Sequence, residues 1–133
     1  MEVVIVPTAA EAAVIAADVV ARAVQSRPAP VLGLATGSTP LAAYALLVER
    51  CNAGELSFAG TSAVLLDEYV GLPPEHPEGY RSVIRRELTD RIDLPPARLF
   101  GPDVWAADLP AACAAYDAPV SYTHLTLPTN REV

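Results

Sequence analysis

The stretch Val31-Leu32-Gly33-Leu34-Ala35-Thr36-Gly37-Ser38-Thr39-Pro40-Leu41 passes from an apolar run, through a hydroxyl-rich glycine turn, into a proline. No polar residue interrupts Val31 to Ala35, which predicts a buried strand. Thr39 and Pro40 predict a helix start: a threonine at the N-cap accepts an orphan N–H, and the fixed φ of proline suits the first helical position. The helix is expected from Leu41 to about Asn52-Ala53-Gly54, where glycine takes the left-handed closing conformation. A buried strand that turns directly into a helix is the repeating half of an α/β protein, and the flanking sequence continues the alternation.

Upstream, Glu2 to Val6 is a β-branched run that predicts a first strand. Thr8-Ala9-Ala10-Glu11 is a capping box for a helix reaching about Arg27, stopped by Pro28 and Pro30. Downstream, Thr61 to Leu66 predicts a third strand, apolar without alternation, as when both faces of a parallel sheet are covered. Val70 to Pro77 holds Gly71, Pro73, Pro74 and Pro77 and cannot be regular. Tyr80, Val83, Ile84 and Leu88 give helical spacing to Glu78–Ile92, which Pro95-Pro96 closes; Arg98 to Phe100 is a weak strand and Pro110 to Ala118 a further helix. The repetition predicts an open, mostly parallel α/β sheet with helices on both faces, in one domain over residues 1–118.

Length and composition agree with a single cored domain: 133 residues, 52% of them hydrophobic. The formal charge of -7, sixteen acids against nine bases, and the fact that no five-residue stretch gathers arginines into a patch argue against a nucleic-acid partner. All the bases are Arg and none is Lys, and Ala and Pro are abundant, as in a GC-rich coding sequence. The N-terminus has no basic region ahead of a long apolar core, so no export signal is expected. The apolar-rich segment from Ala9 to Val24 is interrupted by Glu11, Asp18 and Arg22, so no membrane contact is expected and a cytoplasmic location is. Cys51 and Cys113 have neither CxxC spacing nor a nearby His, and are expected to be small buried residues.

The turn Thr36-Gly37-Ser38-Thr39 is a candidate anion site, since N–H groups at the start of a helix point outward from the carboxyl edge of the sheet. Gly37 allows a close backbone approach and the hydroxyls add donors, enough for one phosphate. A Walker loop would end in Lys, and there is none. The bland alternative is a capped helix start with no ligand. Asp67 and Glu68 close the third strand at the same edge, and only one of two adjacent strand residues can face the crevice. A carboxylate beside an apolar strand can have a raised pKa and serve as general base; the alternative is a turn-forming aspartate. His76, between Glu75 and Pro77, is expected to be a loop residue.

Leu32 to Leu41, then Leu66-Asp67-Glu68-Tyr69-Val70-Gly71-Leu72-Pro73, then His76-Pro77-Glu78-Gly79-Tyr80-Arg81-Ser82 resemble, in this order, the glucosamine-6-phosphate deaminase family. The resemblance runs from about Glu2 to Ala118. It implies a three-layer α/β/α, Rossmann-like fold, here truncated, and conversion of glucosamine 6-phosphate and water to fructose 6-phosphate and ammonia without metal or organic cofactor. It places phosphate binding on Thr36, Gly37, Ser38 and Thr39 and proton transfer between C2 and C1 on Asp67, and leaves Glu68 unassigned. A small-molecule sugar phosphate is the expected partner; homo-oligomerisation of a longer protein stays open. The family's downstream G-x-D-G-H-I-x-F-N-E-P-type segment is missing, and His124, in Tyr122-Thr123-His124-Leu125, does not replace it, so the chain as given is expected to be inactive.

Two related readings share this pattern. A 6-phosphogluconolactonase usually carries D-E-R where Tyr69 stands, and a non-catalytic sugar-phosphate sensor would need a DNA-binding unit ahead of a strand that begins at Glu2. The tail differs from the rest: Ala occurs 24 times up to Ala118 and not at all from Pro119 onward. Val120 to Thr129 back-translates as GTC TCT TAT ACA CAT CTG ACG CTG CCG ACG, which resembles a transposase sequencing adapter. Residues 119–133 are therefore expected to be a non-native tail.

Overall fold

The computed structural model describes residues 3–122, with side chains through residue 117. Helix α1 spans Ala9–Ser26; Thr8 caps it by accepting the Glu11 N–H at 3.2 Å, half of the reciprocal box expected. Ala13, Ala17, Ala21 and Val24 are its buried face, and small side chains there let α1 lie close to α2, Leu41–Asn52. An Arg50–Asp18 ion pair at 2.6 Å joins the two helices at the surface. No helix among the described residues is long and apolar enough to cross a membrane.

Strands β1 (Val31–Leu34), β2 (Ser62–Leu65) and β3 (Leu99–Phe100) form a parallel sheet in the order β1-β2-β3. Ala63, Val64 and Leu65 are buried in succession, so both faces of central β2 are covered, as its unbroken apolar run predicts. Tyr44, Leu47 and Val48 of α2, Phe58, and Ile84 of helix α3 (Tyr80–Glu87) complete one core with α1 and the strands. Asp93 ties the entry to β2: its carboxylate accepts from the Ser57 hydroxyl at 2.5 Å and the Phe58 N–H at 2.6 Å.

Several expectations are corrected. Val3 to Val6 is not a strand; Val3, Val4 and Ile5 are 70%, 57% and 92% exposed, because a β-branched run gains strand structure only from a ladder partner, and it has none among the described residues. Pro40 stands at the N-cap rather than the first helical position, and Thr39 makes no side-chain cap bond. The expected Glu78–Ile92 helix ends at Glu87, where Leu88 turns to φ -140 and ψ -68 to enter a 3-10 turn at Thr89–Arg91. Cys113 is exposed on helix α4 (Leu109–Tyr122), and Cys51 is only half-buried. Helix α4 passes the expected boundary at residue 118; the rest of the proposed tail, with His124, lies outside the described residues.

Candidate active site

Parallel register brings the two candidate segments together. Leu34 pairs with Leu65 at the carboxyl ends of β1 and β2, so Thr36 and Asp67, each two residues further on, leave the sheet side by side. The Tyr44 hydroxyl, on α2, donates to the Ala35 carbonyl at 2.7 Å and fastens the strand end where the glycine turn begins. Burial holds that phenol above the ordinary tyrosine range. Gly37 sits at φ +98, a left-handed conformation that a side chain would strain, with open space where a Cβ would project. Among the described residues, the N–H groups of Gly37, Ser38 and Thr39 have no protein acceptor, which leaves them available to an anion at the start of α2.

Thr36, Gly37 and Ser38 line a cavity of about 470 Å³ together with Tyr69, Tyr80 and Arg86. Thr39 does not line it. Asp67 stands beside it, exposed, without a hydrogen-bond partner among the described residues, so the apolar enclosure expected for it is not provided there. Glu68 faces the other way, into the N-terminus of α3, as adjacent residues at a strand end should. His76 is a loop residue; its Nδ1 accepts the Glu78 N–H at 3.2 Å.

The tyrosine pair is the feature the motifs did not single out. Tyr69 and Tyr80 rings lie 4.5 Å apart at 46°, and the Tyr80 hydroxyl donates to that of Tyr69 at 3.0 Å. The Tyr80 phenol is held above its ordinary range first by this bond, then by desolvation and the charges of Tyr69 and Asp67, while Thr36 acts in the opposite sense. Tyr80 thus stands within electrostatic reach of both the glycine turn and Asp67. Helical periodicity assigned Tyr80 to a packing face; its place at the first position of α3, opposite a strand end, is the signal that marks it as part of the site. Arg86 is a cation on the same cavity, although Glu87 holds its Nε at 2.9 Å.

A family profile described as glucosamine-6-phosphate isomerases/6-phosphogluconolactonase matches residues 7–129. The chain belongs to this family. Within the family it is 54% identical over 121 residues to a protein of Beutenbergia cavernae named glucosamine-6-phosphate deaminase, covering 91% of this chain and 46% of that one. The deaminase so named from Mycolicibacterium smegmatis is 49% identical over 120 residues, covering 90% and 46%. Among solved structures, a monomeric glucosamine-6-phosphate deaminase superposes with a TM-score of 0.87 at 37% identity, over 92% of this chain and 51% of that chain. A 6-phosphogluconolactonase from Thermotoga maritima, at 17% identity and TM-score 0.66 over 83% and 50%, shares the fold alone. The chain spans about half the length of the curated relatives it matches.

Proposed function

We propose that this chain is the phosphate-gripping, proton-transferring half of a glucosamine-6-phosphate deaminase. The observation that carries the reading is the meeting of an anion-ready glycine turn and a free carboxylate at one sheet edge, in a chain 54% identical to a protein named for that activity. Thr36, Gly37, Ser38 and Thr39 hold the substrate phosphate through N–H and hydroxyl donors. That anchor leaves the far end of the opened sugar free to reach Asp67. The Asp67 carboxylate takes the proton from C2, an enolamine forms as the aldehyde π electrons move to O1, which takes a proton from the substrate ammonium, and the Asp67 proton returns to C1 as the nitrogen lone pair forms the C2 imine. Water then adds to the C2 imine and ammonia leaves, giving fructose 6-phosphate. Orientation by a distant anchor and a positioned base are the two effects the protein supplies.

The reaction is isomerisation coupled to loss of ammonia, for which no metal or organic cofactor is proposed, and the enzyme works in the cytoplasm. Tyr69 in place of the arginine of D-E-R favours the deaminase over the lactonase, as do the curated relatives. The 133-residue chain does not itself turn over substrate, and its purified form releasing ammonia at an ordinary enzymatic rate would refute that. A full-length protein containing this chain is to be assayed on glucosamine 6-phosphate, 6-phosphogluconolactone and ribose 5-phosphate. Only the first should react, and Asp67→Asn should lower kcat by about two to four orders of magnitude with KM little changed. Unchanged turnover removes Asp67 from the mechanism.

A further inference from the structure

Glu68 has three hydrogen bonds, whereas its neighbour Asp67 has none among the described residues. Its Oε1 accepts the Tyr80 N–H at 2.8 Å and the Tyr69 N–H at 2.9 Å, and its Oε2 accepts the Arg81 N–H at 2.8 Å. Helix α3 needs this. Its N-cap is Gly79, which has no side chain to offer, and its first turn holds no acid. A carboxylate arriving from the end of β2 satisfies two orphan donors and sets a negative charge against the positive end of the helix. A Cβ at Gly79 would stand 3.8 Å from each Glu68 oxygen, an ordinary contact, and 3.1 Å from the His76 carbonyl, which it would crowd.

The consequence reaches both sides of the site. Asp67 is joined to Glu68 by a peptide bond and its side chain has no tie among the described residues, so its aim follows the backbone that Glu68 fixes. Tyr80 is held from the other side by the same carboxylate, and its phenol meets that of Tyr69, whose N–H the carboxylate also holds. We propose that Glu68 is a positioning residue that locks the Asp67 strand end and the Tyr80 helix start into one rigid unit, so that base and cavity wall keep a fixed separation. The catalytic part of this inference rests on Asp67 being the base. A misplacement on the order of 1 Å can cost about a hundredfold in rate, so the expected effect is on turnover rather than on phosphate binding.

The test uses Glu68→Gln and Glu68→Ala in the full-length protein, with kcat corrected for the folded fraction. Glu68→Ala should lower kcat roughly 10- to 100-fold with KM changed less than about threefold, because the glycine turn is untouched. Glu68→Gln keeps one acceptor oxygen and should fall between; it decides the matter if the alanine variant does not fold. A lower melting temperature with kcat per folded molecule unchanged would assign Glu68 to stability alone and overturn the proposal. Amide exchange gives the second readout in the 133-residue chain: Tyr80 and Arg81 N–H should both lose protection in Glu68→Ala and at least one of them in Glu68→Gln, which keeps a single acceptor oxygen, and unchanged protection of both overturns the bracket. A wild-type protein inactive on glucosamine 6-phosphate would sink the deaminase reading instead, and the exchange result would still judge the bracket.

Discussion

Replacing Asp93 by alanine removes the tie that delivers Phe58 into the core, and its cost should depend on pH in a defined direction. The carboxylate accepts from the Ser57 hydroxyl at 2.5 Å, the Phe58 N–H at 2.6 Å and the Cys51 thiol at 3.4 Å, and Phe58 itself is fully buried. Desolvation pushes Asp93 upward, but the bonds from Ser57, Phe58 and Cys51 outweigh it and leave the group below its ordinary value of 3.8. Hydrogen bonds to a charged group contribute about 1.5–3 kcal/mol each when shielded. Asp93 is exposed, so water competes, and a total of about 1–3 kcal/mol at neutral pH is the expected loss for Asp93→Ala. A depressed native pKa means that the unfolded chain binds more protons, so this stability is present above the unfolded value and disappears as pH falls through the native one. Urea unfolding of wild type and Asp93→Ala, at pH 7 and in steps down through the carboxylate range, measures the gap between them. Other carboxylates titrate in both proteins and cancel in the difference. The gap should narrow below about pH 4 as the bonds lose their charge. A gap that stays constant to the acid limit would show that the charge on Asp93 plays no part.

Three further outcomes are expected. Cys113, exposed, should react with a thiol-disulfide reagent well before Cys51, whose thiol is pushed up by burial and by Asp93; equal rates would refute the assigned environments. Gly101→Ala should destabilise by about 1–3 kcal/mol in a thermal melt, since the new Cβ would stand 2.8 Å from Leu65 Cδ1 and 3.2 Å from an Arg81 nitrogen; an unchanged melting temperature would mean that Leu65 moves freely. Gly37→Ala meets no atom within 4 Å but must hold φ +98, so its loss of about 1–2 kcal/mol is backbone strain, and Gly37→Asn should recover part of it.

What could be read in the chain separates by how far the causes lie from the residues they act on. The β2 strand was legible because its short apolar run lacks alternation, and Ala63-Val64-Leu65 is buried in succession as a strand covered on both faces requires; β1 forms where expected, but only Leu34 of it is buried and Gly33 is exposed. The α1 start was legible because Thr8 and Glu11 are three residues apart, and the glycine turn because a hydroxyl-rich glycine segment links an apolar run to a proline, although the left-handed φ of Gly37 was not foreseen. The strand expected at Glu2 to Val6 failed for the opposite reason: β-branched residues supply propensity, but a ladder needs a neighbour that no local pattern can guarantee. The shortened α3 and the exposed Cys113 are likewise settled by packing between elements. The candidate site divides in the same way. Its glycine turn and acidic strand end were visible as motifs, and parallel register alone, with Leu34 beside Leu65, places them at one edge. The partnership of Glu68 with the Tyr80 and Arg81 N–H groups spans twelve and thirteen residues across an irregular loop, and only the folded chain brings it together. An acidic pair in which one member has no partner among the described residues and the other is fully engaged is a difference that adjacency in sequence conceals, and under the proposed roles the untied Asp67 would act on substrate from a backbone that Glu68 holds.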